Sequence, residues 1–425
     1  MIAIAPMAVL CLAAAGGDLS VFPVRGVPEG PLLLVTQPDE SSGKRREALL
    51  VVDPSGARPP ERALVTDGNH TVRGRVGRGV LLVAVHGPTR IHRLDLEKGE
   101  AHPFHGDAPT ELVSLDVRRA FLTETLLRHE IGYRLKESAD GAVAVESAPR
   151  PAERLLVVDD CGAAGAVARP LAGGSPFVAI LAETRDRFFV VRDEPHALVA
   201  IAKDGSGERV VAELPSDLVP TLMTAEPSPS GRLVAIGAAD RGDFFDHRHL
   251  FVADAEKGGI VYEKRGVFVR VSMLSSQSPS LAFTWLAEDR LRYSESRPGP
   301  LEPEAAWVDI RVPSGEVLAT TPRGPVGLRH PKPLRDDEPE EPAPGARTTR
   351  GLFDLEPGRL FFRGEREPIL DTVDERGQVT WAEIAISSDG RFAAFRGKDG
   401  AMIADGESKS TRLAVPGWCY ALHWR

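Results

Sequence analysis

One short phrase recurs along this chain and constrains its fold more than any other feature. It is a serine-containing tight turn closing on Gly-Arg and followed at once by an apolar strand. The phrase stands at Ser228-Pro229-Ser230-Gly231-Arg232, leading into Leu233-Val234-Ala235-Ile236, and again at Ser388-Asp389-Gly390-Arg391, leading into Phe392-Ala393-Ala394-Phe395. Each time a second strand with its own turn follows: Leu250-Phe251-Val252-Ala253-Asp254 before Glu256-Lys257-Gly258-Gly259, and Ala401-Met402-Ile403-Ala404-Asp405 before Gly406. A supersecondary unit repeated at intervals of tens of residues marks a repeat architecture. Glycine supplies the positive φ that such tight antiparallel turns need.

Reading the rest for strand-turn units gives seven passes, each with alternating or short continuous apolar runs. The first is Leu32-Leu33-Leu34-Val35 with Ala48–Val52, and the second Val80–Ala84 with Ile91–Asp95. In the third, Ala120-Phe121-Leu122 is separated by a long insertion from Leu155–Asp159. The fourth is Arg187–Val191 with Ala197–Ile201 and the turn Lys203-Asp204-Gly205-Ser206-Gly207. The sixth is Arg290–Tyr293 with Trp307–Arg311, and the fifth and seventh carry the opening phrase. Residues 351–372 hold a further apolar patch, Arg359-Leu360-Phe361-Phe362, which is either an extra unit or an embellishment of the last one.

Residues 228–236 and Lys203–Arg209 resemble the S-P-D-G-[KR]-x-[IL]-A-F and D-G-S-G-x-x-R phrases of TolB-type, WD-repeat-like β-propellers. The resemblance covers most of residues 30–425 as a pattern and is sharp around 197–262 and 380–425. In the first three units it fades, with Val76-Gly77-Arg78-Gly79 where the turn phrase would be. It implies an all-β propeller of seven four-stranded blades, with six and eight as alternatives. After the last outer strand, Arg412–Val415, the segment Trp418–Trp424 matches Leu281-Ala282-Phe283-Thr284-Trp285, the innermost strand of the sixth unit. The C-terminal strand is therefore predicted to pair near Leu32–Val35 and close the ring, removing exposed edges. Trp285, Trp307, Trp381, Trp418 and Trp424 fall at strand positions and are expected in the core.

Composition narrows the function classes. With 52 Lys and Arg against 61 Asp and Glu, the net charge is −9, which argues against a nucleic-acid binder, whose affinity rests on a basic face. Only nine of the 52 basic residues are Lys; with abundant Ala, Gly and Pro this reads as the codon bias of a GC-rich bacterial genome. Residues 1–17 carry no charge, and the run Ala8–Ala15 ends in Ala13-Ala14-Ala15-Gly16. That suits a signal-peptide cleavage site and is too short to span a bilayer. A periplasmic or secreted protein is expected, or a cytoplasmic one if residues 1–17 are not a signal. The remainder, 18–425, is expected to be one propeller domain and a monomer. Cys161 and Cys419 fall in different repeats and are expected to be unbridged.

Seven blades of about 43 residues would use roughly 300 residues. The surplus falls mainly in 38–46, 124–153, 238–249, 294–305 and 322–350. All are middle-strand or blade-to-blade connections, which emerge on one face of a propeller. Long loops on a rigid scaffold are where binding residues concentrate. Within them, Asp243-Phe244-Phe245-Asp246-His247-Arg248-His249 sets two imidazoles beside carboxylates, so Asp243, Asp246, His247 and His249 are the candidate binding residues. The plainer reading is a polar loop with one Phe packed down. His129-Glu130 begins a zinc-protease motif, but position 133 is Tyr and the motif fails. The Pro- and acid-rich segment 329–350, with Asp336-Asp337-Glu338-Pro339-Glu340-Glu341, reads as a solvated linker.

No nucleophile elbow, P-loop, dinucleotide fingerprint or paired-Cys motif is present, and no cofactor is expected. The sequence thus points to a non-catalytic exported propeller that binds a protein or peptide partner through its long-loop face. The alternative is a propeller enzyme, of hydrolase or lactonase type, with its site at the central channel.

Overall fold

The computed structural model describes residues 19–27, 29–39, 46–86, 89–105, 109–116, 118–127, 134–137, 143–146, 152–171, 176–193, 195–216, 218, 223–238, 246–270, 283–297, 304–322, 347–356, 358–373 and 383–425. Among them there is no helix, and hence none long and apolar enough to cross a membrane. The strands form eight four-stranded antiparallel sheets in consecutive chain order, the first carrying one additional strand, and a two-stranded hairpin, Arg134–Glu137 with Val143–Glu146. This is the connectivity of a β-propeller. There are eight blades where seven were expected. The additional one is Thr348–Arg350, Phe353–Glu356, Arg359–Phe362 and Leu370–Asp371, built around the apolar patch at 359–362. Its strands are two to four residues long, and no serine-glycine turn phrase announces it.

The chain divides into two compact units, residues 1–124, 157–169 and 341–425, and residues 125–156 and 170–340. In the first unit, Ala421–Trp424 pairs antiparallel with Leu33–Pro38 in the register Leu33 to Trp424 and Val35 to Leu422. The last strand thus completes the first sheet, as the sequence predicts. Leu33, Leu34 and Val35 are wholly buried as a result. At the other edge of that sheet Leu19–Val21 adds a fifth strand to Glu61–Thr66. Residues 22–27 continue to the second sheet, where the Val24 N–H donates to Leu96 O at 2.7 Å. Cys161 and Cys419 are both buried and free.

The recurrent phrase has the same physical content in both units. In the eighth sheet the Phe392 N–H donates to Ser387 Oγ at 2.9 Å, and the Gly390 N–H, at φ +71°, closes the turn on Ser387 O. Asp389 Oδ1 accepts from Ser387 Oγ at 2.6 Å and from the Arg391 N–H at 3.0 Å. In the second unit's fifth sheet, Ser228 and Gly231 repeat the arrangement, but Ser230 stands where Asp389 would be. The carboxylate comes instead from Glu288 of the sixth sheet's first turn. It accepts from Ser228 Oγ at 2.9 Å, Ser230 Oγ at 2.5 Å and the Ser230 N–H at 3.0 Å. Burial works against the Glu288 anion, but these bonds and the Arg232 charge outweigh it and hold its pKa below the usual carboxylate value. Glu288→Ala is therefore expected to cost about 2 kcal/mol, the range for removing a charged acceptor from several donors. A urea melt checks this; an unchanged midpoint would show the turn stands without the carboxylate.

A second device recurs between neighbouring inner strands. Trp285 Nε1 donates to Glu226 O, and Trp424 Nε1 donates to Ala385 O, both at 2.8 Å. Glu226 and Ala385 each precede the turn phrase by one residue more than Pro227 and Ile386, so the two bonds are equivalent by repeat. The equivalence identifies the C-terminal strand as an innermost strand of the repeat, independently of its backbone pairing.

Candidate functional site

The residues singled out by sequence fall on or beside one hairpin of the second unit. Asp243 lies outside the described residues. Asp246, His247 and His249 belong to the strand Asp246–Asp254, paired with Ile260–Arg270. Segment 246–249 is thus part of a long hairpin rather than the expected loop. The register runs Asp246 to Arg270, His247 to Val269 and His249 to Arg265, so the partner strand bulges between the two histidines. His249 is buried, its ring 6.1 Å from that of Phe251. Among the described residues no group of three or more His, Cys, Asp or Glu is placed to hold a metal.

A more developed constellation lies in the first unit, where the eighth sheet leads into the first. Residues 417–420 cross between the two sheets and are pinned at both ends, the Gly417 N–H donating to Asp399 O at 2.9 Å and the Tyr420 N–H to Thr36 O at 2.7 Å. An extended segment turns alternate side chains to opposite sides. Cys419 accordingly points inward, 2% exposed, while Trp418 and Tyr420 face solvent, at 68% and 37%. Trp418 was expected in the core with the other tryptophans. Trp285 is buried and Trp307 and Trp424 are half-buried; Trp381 lies outside the described residues, and Trp418, three residues before the strand, is exposed. The Arg396 guanidinium lies over its ring at 5.9 Å, within cation–π range. Arg396 in turn pairs with Glu383 at 2.8 Å, and Glu383 accepts from the Leu422 N–H at 3.1 Å. Burial pushes the Cys419 thiol pKa up, which disfavours the thiolate form.

The same end of the first and second sheets is rich in histidine. His70 is fully enclosed. Thr66 Oγ1 donates to Gly68 O at 2.6 Å, so it receives the Nδ1 proton of His70 at 3.1 Å, and Nε2 is left facing Thr36 Oγ1 at 3.4 Å. Glu47 accepts the His70 N–H at 3.1 Å. Burial first, then the neighbouring His423 and His86, lower the His70 pKa to about 4, and the ring is neutral at pH 7. The second sheet's exit segment and the third sheet contribute His105 Nε2 and Glu124 Oε1, 3.0 Å apart, with Glu124 buried and His105 partly exposed. None of this was legible beforehand, because its members come from turns and strands as far apart in the chain as Thr36 and His423, with no local motif.

No known family description matches the chain, and no curated protein does. Solved structures do match, at low identity. TolB from Acinetobacter baumannii is 12% identical over 70% of this chain and 65% of its own, with a TM-score of 0.27. The dihydro-heme d1 dehydrogenase NirN is 14% identical over 96% of this chain and 79% of its own, at 0.36. The WD40 domain of SCAP from fission yeast is 10% identical over 93% and 86%, at 0.28. The chain thus spans less than two thirds of TolB. Likeness at this level assigns no activity, and the propeller class rests on the sheet connectivity above.

Proposed function

We propose that this protein is an exported, non-catalytic propeller scaffold that binds a protein or peptide partner through the end of the sheets where its long connections emerge. The observation that supports this reading is the exposed pair Trp418 and Tyr420, held rigidly around buried Cys419 with Arg396 at its flank. Trp, Tyr and Arg are the residues that dominate interface energetics. Leaving a Trp ring in water forgoes burial worth about 2 kcal/mol that a partner would recover. In the second unit the sequence candidates Asp243, Asp246 and His247, at and before the start of the strand Asp246–Asp254, are proposed as a separate contact, while His249 is buried beside Phe251. Export rests on the uncharged apolar run in residues 1–17.

The double variant W418A/Y420A is expected to weaken partner capture at least tenfold, as loss of a central aromatic anchor does, with an unchanged melting temperature. Shortening the turn at Lys257-Gly258 should leave capture intact. Quantitative pull-down from envelope extract with each form tests this, and equal loss from both would defeat the reading.

One observation favours the competing reading, a hydrolase or lactonase: the His105–Glu124 pair has the geometry of a general base and its orienting carboxylate. Turnover of a small ester or lactone that His105→Ala abolishes would establish it.

A further inference from the structure

The closing strand meets the second sheet along a seam of basic side chains. In the pairing of Ala421–Trp424 with Leu33–Pro38, His423 stands opposite Leu34, and paired residues of an antiparallel ladder share a face. That face is turned to the second sheet. Leu34 packs with Val72, Leu81 and Val83, whereas Leu33 and Val35 pack with Phe392 and Ile403 of the eighth sheet. Two neighbours of His423 on the same face reach the second sheet's first strand, His70–Gly77. Thr36 Oγ1 lies 3.4 Å from His70 Nε2, and Arg425 Nη2 donates to Val72 O at 3.2 Å. In the register His423 falls between these two contacts.

The groups that face this seam are mostly cations or bases. The second sheet supplies His70, Arg75, whose Nη1 donates to Arg425 O at 3.3 Å, and His86, whose Nε2 lies 3.1 Å from Thr71 Oγ1. Arg425 follows the closing strand itself. Two carboxylates oppose them, and both are engaged. Glu47 of the first sheet accepts the His70 N–H at 3.1 Å and lies 3.7 Å from its Nδ1. Glu383, just before the eighth sheet, accepts the Leu422 N–H at 3.1 Å and pairs with Arg396 at 2.8 Å. Burial, and then the Arg425 charge, lower the His423 pKa against the weaker pull of Glu383. On His70 the Nδ1 proton already goes to Thr66, so a second proton enters at Nε2 and meets the Thr36 hydroxyl.

We propose that the strand Ala421–Trp424 is an acid-released latch: protonation of His423 and His70 places like charges in the seam and frees the strand from Leu33–Pro38 in mildly acidic solution. The strand is continuous with residues 417–420, which carry Trp418 and Tyr420, so its release would also dismantle the proposed partner surface. The latch itself rests on the seam alone, and its test involves no partner.

Hydrogen exchange on the full chain at pH 7 and pH 5, each corrected for the intrinsic rate at that pH, tests it. A histidine that regains its ordinary pKa on opening takes up a proton as the pH falls below that value, and opening becomes easier. Protection of residues 33–37 and 421–424 is expected to fall about tenfold or more, and to fall further than in the histidine-free strands Arg290–Arg297 and Glu304–Arg311 of the sixth sheet. Cys419, buried just before the strand, should be modified by dithiodipyridine faster at pH 5 than at pH 7, with the site located by peptide mapping. That is the reverse of the trend for an accessible thiol, which loses thiolate as the pH falls. His423→Gln keeps a polar side chain that cannot titrate and should shrink the acid loss of protection about threefold or more, its melting temperature at pH 7 being recorded alongside. The first two readouts need no variant. Equal loss of protection in both sets of strands, slower Cys419 modification at pH 5, or an acid loss unchanged in folded H423Q would each overturn the proposal.

Discussion

A chain ending at Pro416 is expected to lose cooperative melting and to aggregate. The strand Ala421–Trp424 pairs along the first sheet's inner edge, and Leu33, Leu34 and Val35 on that edge are wholly buried. Its removal uncovers Leu33, Val35 and Phe392, which share a core cluster with Leu422 and Cys419, the Phe392 ring losing its stack on Trp424 at 6.2 Å. Burial of a large apolar side chain is worth about 1.5–3 kcal/mol. Three such losses with four unpaired backbone positions therefore reach on the order of 5–8 kcal/mol, comparable to the whole stability of an ordinary domain. The bared strand is also a long, flat apolar edge, the template on which other chains add. Size-exclusion chromatography with a thermal melt decides the matter. A monomeric truncated chain with a single sharp transition would show that closure by the last strand is dispensable. The milder change Trp424→Phe, which keeps the ring stack and deletes the bond to Ala385 O, should cost only about 1 kcal/mol.

Acid is expected to destabilise the protein well before its carboxylates are all protonated. His70 has an ordinary pKa of 6.5 when unfolded and about 4 when folded. The unfolded chain therefore takes up a proton that the folded one refuses. Stability from this residue is fully present above pH 6.5, declines as the pH falls, and is gone near pH 4. Between pH 7 and pH 5 the linkage amounts to about 2 kcal/mol. His92, lowered to about 4 by burial and by Arg90, acts in the same direction. His70→Gln keeps a hydrogen-bonding side chain beside Thr66 and Thr36 but cannot titrate, so the difference between wild type and variant isolates the effect. Urea midpoints at pH 7 and pH 5 should diverge less in the variant by that amount. Equal slopes with pH in both proteins would refute the neutral assignment.

How far the sequence carried these conclusions depended on whether the information was local. The turn at Ser228–Arg232 was legible because every atom of it lies within five residues, and the C-terminal strand because Trp424 sits in register with Trp285. The seventh sheet escaped as a full blade because Arg350, Asp354 and Arg359 interrupt its short strands, and alternation needs more than three residues to register. The Trp418–Arg396–Glu383 cluster escaped for a different reason. Its members join three segments, and no propensity separates a tryptophan that enters a strand from one that stops just short of it. His249 shows the converse: a polar motif read as a loop was carried into a strand, where His249 is buried between its pairing partners Ala238 and Arg265.

The carboxylate of Glu288 has a consequence for how such a ring can be rearranged. Repeat proteins are commonly imagined as modules that duplication can copy and recombination can exchange. The eighth sheet fits that image, since Asp389 finishes its own turn. The fifth does not, because the group completing its turn is encoded some sixty residues on, in its neighbour. A crossover between these two sheets would deliver a fifth sheet with its hydroxyls unanswered and a sixth with a carboxylate that has nothing to hold. The inheritable module at that point in the chain is accordingly a pair of blades, and grafts that respect this boundary are the ones expected to fold.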